Sequence, residues 1–399
     1  MDVILQVFII FATAKVVGEV FVRLRQPAIV GELLVGVALG PHVLDWIKVN
    51  PATNGLAEIG IVVLLFVAGL ETRLGELMAV GRSSVGSSLG GMTLAAGSAL
   101  GLVVAFGYPL RAGSLAAVAL AASSVGIAAR AFSDLGAIAS RPARVVFGAA
   151  VVDDVAALAA LPLAQGLSDG GSVGGLLIGL GGAIGFVVLV SAVGSRVARR
   201  HAYLLELPRT GRAPFVLALT LCLGLAALAE QVGLAALVGA FVAGMVLAET
   251  REHYRLKQDM EPLFDFLVPF FFVVSGARMD PGALADAGAA FVIVLVIVTI
   301  LAKLIGCALG ATRVPRRERL AVALGMVPRG EVTLAVATAG LAAGQLPDEV
   351  FSALLAAVLV STLVAPPLLK FAIPTGRPEA SRPPREGPPE GPALEGEHL

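Results

Sequence analysis

The sequence predicts an all-α membrane protein of thirteen transmembrane helices, arranged as two inverted six-helix repeats joined by a linker helix. Three observations lead there. The 399 residues are 57% hydrophobic and only 15% charged, with a mean hydropathy of +0.90, values far from those of a soluble domain. Apolar stretches recur at about the 17–25 residues that a bilayer core requires, separated by short segments that hold most of the charge. Finally, VGELLVGVAL at 30–39 is echoed by VGAFVAGMVL at 238–247, an offset of 208 residues, and internal repetition is a habit of membrane transporters.

The predicted spans are 3–22, 27–44, 56–71, 85–107, 113–133, 144–167, 173–195, 214–231, 234–249, 260–278, 285–310, 318–341 and 348–373. The first follows Met-Asp-Val with no basic segment before it, so it reads as a retained helix and not as a cleaved signal. The seventh, with GGLLIGLGGAIG at 174–185, is helix-packing material; no strand precedes it and no Lys follows, so it is not a phosphate loop. The repeat match pairs the second span with the ninth, which is the second of the six beginning at 214. Six spans plus the linker make an odd number of crossings, so the second six enter from the opposite side. After Ile373, seven prolines and four glycines in 26 residues cannot build a core, and 374–399 is expected to be a disordered tail.

Arg and Lys concentrate in alternate loops, around 23–25, 73–82, 141–144, 196–212, 251–257 and 313–319, whereas the opposite loops hold Lys48, Arg111 and Arg278. The positive-inside rule makes the first set cytoplasmic, with the N-terminus outside and the tail inside. Cys222 and Cys307 lie in apolar spans without Cys-rich spacing and read as small buried hydrophobes.

Two stretches break helical pattern. The fifth span contains AASSVGIAAR (121–130), and the twelfth contains GMVPRGEVTLAV (325–336), in which Pro328 and Gly330 are strong helix breakers. Adding 208 to Ser123 gives Glu331, so the two breaks should face each other near the midplane and line an enclosed cavity. A proline kink and a serine pair bonding back to its own helix would account for either stretch alone.

The sixth span carries Asp153 and Asp154 in the apolar run VFGAAVVDDVAAL (146–158). Adjacent residues project about 100° apart, so both acids can enter one bundle and address different partners. Intramembrane carboxylates are functional by default. The comparably central cation is Lys303, one of only five lysines against 24 arginines. Other charges invite local readings: Lys15 and Glu19 as an i, i+4 pair, Glu32 and Glu71 as residues near water at span ends, and Arg329 and Glu331 as supports of the unwound segment.

QPAIVGELLVGVALGP (26–41), LAEIGIVVLLFVAGLET (56–72), ASSVG (122–126), VVDDVAAL (151–158), the Lys303 span and PRGEV (328–332) together resemble the monovalent cation:proton antiporter-2 family, most of all its NapA-type bacterial members. The resemblance runs from about residue 5 to 373. It implies crossed discontinuous helices in a core ion-transport domain (85–167 and 285–373), a dimerisation domain (1–72 and 214–280), and a linker helix at 173–198. It implies Asp154 as main Na⁺ ligand and proton carrier, Asp153 as its neighbour, a second Na⁺-binding and proton-carrying carboxylate and the salt-bridge partner of Lys303, Lys303 as a further proton carrier, and Ser123 and Ser124 as auxiliary polar ligands, the first of them often Thr in relatives. Pro328, Arg329, Gly330 and Glu331 would support the discontinuous helix. A homodimer in the bacterial inner membrane, in contact with lipid, is implied, with no enzymatic activity, no cofactor, no nucleotide and no nucleic acid.

The chemistry agrees. Na⁺ or Li⁺ is hard and seeks oxygen ligands, which carboxylates, hydroxyls and backbone carbonyls supply. The same carboxylate oxygens bind protons, so the two ions compete, and a site that changes access only when occupied performs antiport. With Lys303 charged and both aspartates ionised the empty site carries −1, which one Na⁺ or one proton neutralises; paired-aspartate members of the family are typically electrogenic. A K⁺/H⁺ antiporter, a sodium/organic-solute symporter of related inverted-repeat fold and a cation channel are the alternatives.

Overall fold

In the computed structural model, residues 3–71, 81–138, 140–166, 213–231, 235–248, 250 and 253–373 are described, with isolated positions at 185, 190, 193, 194 and 196. The expected linker helix and tail lie outside the described residues. Fifteen helices are present among those described: α1 Val3–Arg23, α2 Ala28–Leu39, α3 Pro51–Leu70, α4 Arg82–Ala105, α5 Leu110–Ala121, α6 Val125–Asp134, α7 Arg141–Gly166, α8 Ala213–Gln231, α9 Ala236–Ala248, α10 His253–Ala277, α11 Pro281–Asp286, α12 Ala289–Gly310, α13 Arg316–Gly325, α14 Glu331–Ala342 and α15 Asp348–Ala372. Nine spans among the described residues are long and apolar enough to cross a bilayer, counting α5 and α6 as one, and α2, α9 and α14 are shorter apolar helices.

Local chemistry sets several boundaries. The third span starts at Pro51, earlier than its hydropathy implied, because Asn50 caps it. The Asn50 side chain accepts from the N–H groups of Ala52 and Thr53, and Thr53 Oγ1 accepts from Asn50 N–H at 3.0 Å, a reciprocal box with proline in the first turn. The short α11 was not anticipated; Asp280 caps it by accepting from Gly282 N–H at 2.7 Å.

The helices form two packing groups. In one, α3 lies against α9 and α10, α2 against α1 and α10, and α8 against α9. In the other, α4 packs on α5, α7 and α12, α14 on α5, and α13 and α15 on α12. The groups touch along α3 and α14, α7 and α9, and α2 and α15. On α12 the buried face reads Phe291, Leu295, Thr299, Lys303 and Cys307, whereas the outward face is Ile293, Ile297, Leu301, Ile305 and Leu309. A helix whose exposed side is more apolar than its buried one is solvated by hydrocarbon.

Because lipid tails are as apolar as leucine, association between such helices depends on close packing and hydrogen bonds. The α4–α12 contact achieves this with glycine. A Cβ added at Gly86 would run into the Gly310 carbonyl, and one at Gly90 into that of Gly306; the reverse holds from α12. Ser87 Oγ adds a bond to the Cys307 carbonyl at 3.1 Å. This near-backbone contact sets the depth of Lys303, one turn before Gly306.

Candidate functional site

Both expected helix breaks are present, and they meet. Extended backbone at Ala122–Ser124 separates α5 from α6, and residues 326–330 separate α13 from α14. Ser124 N–H donates to the Pro328 carbonyl at 2.9 Å. Gly330 is required here, since a Cβ would lie 2.8 Å from the Ser124 side chain.

A broken helix leaves its last carbonyls without partners and concentrates negative partial charge there. At the end of α5 three of them are answered from elsewhere in the bundle. Thr333 Oγ1 donates to the Ala119 carbonyl at 2.8 Å, Lys303 Nζ to that of Ala121 at 2.5 Å, and Arg329 Nη1 to that of Ala122. The other break is held likewise: Ser123 Oγ lies 2.9 Å from the Met326 carbonyl, which shares the hydroxyl's one proton with Asp153, and Thr362 Oγ1 donates to the Arg329 carbonyl at 2.7 Å. Two buried cations thus sit where a helix C-terminus attracts them.

The adjacent aspartates of α7 have separate surroundings, as the helical angle between them requires. Asp153 is fully buried and hydrogen-bonded through both oxygens: Oδ2 accepts from Lys303 Nζ at 2.6 Å and from Ser123 Oγ at 2.9 Å, and Oδ1 from Ser88 Oγ at 2.6 Å. Asp154, only 6% exposed, turns toward a cavity of about 350 Å³ at the seam between the packing groups, lined also by Ser124, Glu331, Glu71 and Arg130. Asp154 Oδ1 is buried without a hydrogen-bond partner among the described residues. Glu331 Oε2 accepts from Ser124 Oγ at 3.0 Å.

A second cavity, about 260 Å³, lies along the same seam, lined by Asn54, Glu58, Glu230 and Arg278. The two are separated along α3 by the turn between Ile61 and Leu64, and along α14 by the turn between Glu331 and Ala335.

Asp153, Asp154, Lys303, Ser123, Ser124, Pro328, Arg329, Gly330 and Glu331 are therefore brought together. Ser88 was missed, and only its place in SSVGSSLGG, a polar patch inside an apolar span, could have signalled it. Of three local readings two are corrected, and the third, Glu71 near water at the end of its span, holds. Lys15 reaches Asp265 on α10 at 3.5 Å, while Glu19 holds Arg23 at 2.8 Å. Glu32 is buried at 7% exposure, away from water. Glu71, which is exposed, accepts from Lys257 at 2.5 Å.

Crossed helix breaks, a buried lysine–carboxylate pair and a second carboxylate facing a cavity define a multi-pass membrane transporter for small cations. The description "Sodium/hydrogen exchanger, transmembrane" matches residues 8–373. The chain belongs to that family, a family of cation/proton antiporters. It is 33% identical over 373 residues to the Na⁺/H⁺-K⁺ antiporter GerN of Bacillus cereus, covering 92% of this chain and 95% of that one. It is 30% identical to the high-affinity Na⁺/H⁺ antiporter NhaS3 of Synechocystis, covering 92% and 89%. Its fold is similar to that of the sodium proton antiporter MjNhaP1 from Methanocaldococcus jannaschii, with a TM-score of 0.75, 18% identity, and 93% and 98% of the two chains covered.

Proposed function

We propose that this protein is an electrogenic antiporter exchanging Na⁺ or Li⁺ for H⁺ by alternating access at its paired aspartates. The observation that carries the reading is the contrast between the two acids. Asp153 is committed to Lys303, Ser88 and Ser123, whereas Asp154 lines a cavity and its Oδ1 has no hydrogen-bond partner among the described residues. An oxygen held dry and unpaired is costly unless it regularly receives a proton or a cation, and either ion neutralises Asp154. The Asp153–Lys303 pair contributes no net charge, so Asp154 itself moves between −1 when empty and neutral when loaded. Exchange of two protons per Na⁺ then draws its second proton from the Asp153–Lys303 pair at some point in the cycle.

The cavity at Asp154 has exposed Glu71 and Arg130 at its rim, on the side of the Arg-rich loops, which we assign to the cytoplasm. That places the N-terminus outside and the chain in an inward-open state, with the Glu58–Glu230 cavity as the start of the outer path. The helices α4–α7 and α12–α15 form the moving transport domain, and α1–α3 with α8–α10 form the dimerisation domain of a homodimer in the bacterial inner membrane. Inverted repeats in a thirteen-span chain are supported by exchanged contacts. Gly36 of α2 lies against Gly276 of α10 and Gly244 of α9 against Gly69 of α3, and 36 to 244 and 69 to 276 are separations of 208 and 207 residues.

Proteoliposomes with an imposed pH gradient test the function: Na⁺ and Li⁺ should dissipate the gradient and K⁺ should do so poorly. An equal or larger response to K⁺ favours the second reading, K⁺/H⁺ exchange, for which the name of the Bacillus relative gives a specific reason. A sodium/organic-solute symporter would leave the proton gradient untouched.

A further inference from the structure

The sequence reading made Glu331 a support of the unwound segment, and the resemblance made Asp153 a second ion-binding carboxylate; the geometry points to the opposite division. Both Asp153 oxygens are already engaged. They take three short hydrogen bonds, from Lys303, Ser88 and Ser123, and the first of these donors is an ammonium whose charge repels a second cation. Glu331, by contrast, begins α14 at the rim of the same cavity as Asp154. The backbone break there is already held by Arg329 on the Ala122 carbonyl, by Thr362 on the Arg329 carbonyl and by Ser124 N–H on that of Pro328. Glu331 is therefore not its sole support. Its Oε2 accepts from Ser124 Oγ at 3.0 Å, and Ser124 lines the cavity between the two acids.

We propose that the transported cation is held between Asp154 and Glu331, with the Ser124 hydroxyl as a third oxygen, and that Asp153 stays outside the coordination shell. This rests on the antiport reading above. The independent sign of a ligand is that Asp154, nine-tenths buried and lining this space, keeps an Oδ1 with no hydrogen-bond partner among the described residues. Two carboxylates and a hydroxyl are a hard donor set suited to a small monovalent cation. Ser124 Oγ can keep its proton on Oε2 and offer a lone pair to the ion, so Glu331 remains anchored. Since α14 packs on α5, and α7 on α5 and α6, a cation bridging Asp154 and Glu331 joins the two sides of the crossed breaks.

The test is the KM for Na⁺ in Na⁺-driven proton exchange by full-length protein in proteoliposomes, compared for wild type, Glu331→Gln, Glu331→Asp and Asp154→Asn. Glu331→Gln should raise KM for Na⁺ tenfold or more, and Glu331→Asp, which keeps the charge but withdraws it by one methylene, should raise it by less. An unchanged KM in Glu331→Gln overturns the assignment. Should that variant fail to fold, Glu331→Asp decides: a raised KM supports the ligand and a wild-type KM overturns it. Failure of the antiport reading is distinguishable, because wild-type protein would then show no Na⁺-driven exchange, or Asp154→Asn would retain it.

Discussion

Lys303 Nζ lies 2.6 Å from Oδ2 of Asp153, and solvent reaches neither side chain. The pair joins α12 to α7, and through the Ala121 carbonyl it also closes the end of α5. Isolated charges at this depth would be prohibitive; together they are a neutral strut between three helices of one packing group.

Breaking that strut from one side should be severe. Asp153→Asn or Lys303→Ala alone leaves an uncompensated buried charge, a loss of about 3–5 kcal/mol. The double variant should be destabilised by less than the sum of the singles. Thermal unfolding of the four purified proteins measures this, and strict additivity would show that the residues do not act as a pair.

Asp154→Asn should behave differently. It removes no hydrogen bond among the described residues, so the melting temperature should remain near that of wild type, while ion exchange in proteoliposomes should be lost. Retained exchange would take Asp154 out of the centre of the site.

Helix contact at α4–α12 should be intolerant of a single methyl group. Gly306→Ala drives a Cβ into the backbone of Gly90 and Gly91, an overpacking cost of about 1–3 kcal/mol, and it displaces Lys303 one turn away. Gly97→Ala on α4, where an added Cβ meets nothing, is the control and should be neutral or stabilising. Equal melting temperatures for the two variants would contradict the packing account.

Arg329→Met should release the Ala122 carbonyl in a dry setting. The expected loss is about 1–3 kcal/mol for an unsatisfied buried group, read by thermal unfolding, with slower exchange because the crossing itself loosens. Wild-type stability in this variant would mean that the bond to α5 contributes nothing.

Much of this arrangement was legible in the chain. Ionisable residues inside an apolar span have few permitted roles, so Asp153, Asp154 and Lys303 declared themselves, and Pro328 with Gly330 marked a break that no tertiary contact could heal into a straight helix. What was not legible depended on partners from other helices. Ser88 looks like any serine bonding back to its own turn, yet it donates to Asp153 across sixty-five residues. Lys15 matched Glu19 by spacing, but Asp265 of α10 competes for it and Arg23 takes Glu19. Glu32 sits near a span end in sequence and is nevertheless covered by packing. The i, i+4 rule sees one helix, and these side chains answer to two or three.

The central claim is that proton and cation contend for the same oxygen of Asp154. The most direct test is the apparent dissociation constant of Na⁺ for the purified protein across a series of pH values. Competition at one carboxylate predicts that Na⁺ binding weakens as pH falls, approaching about tenfold per pH unit once the protonated form predominates, and that Asp154→Asn abolishes the pH-dependent component. A Na⁺ affinity constant across the pH range in which exchange operates would contradict the claim.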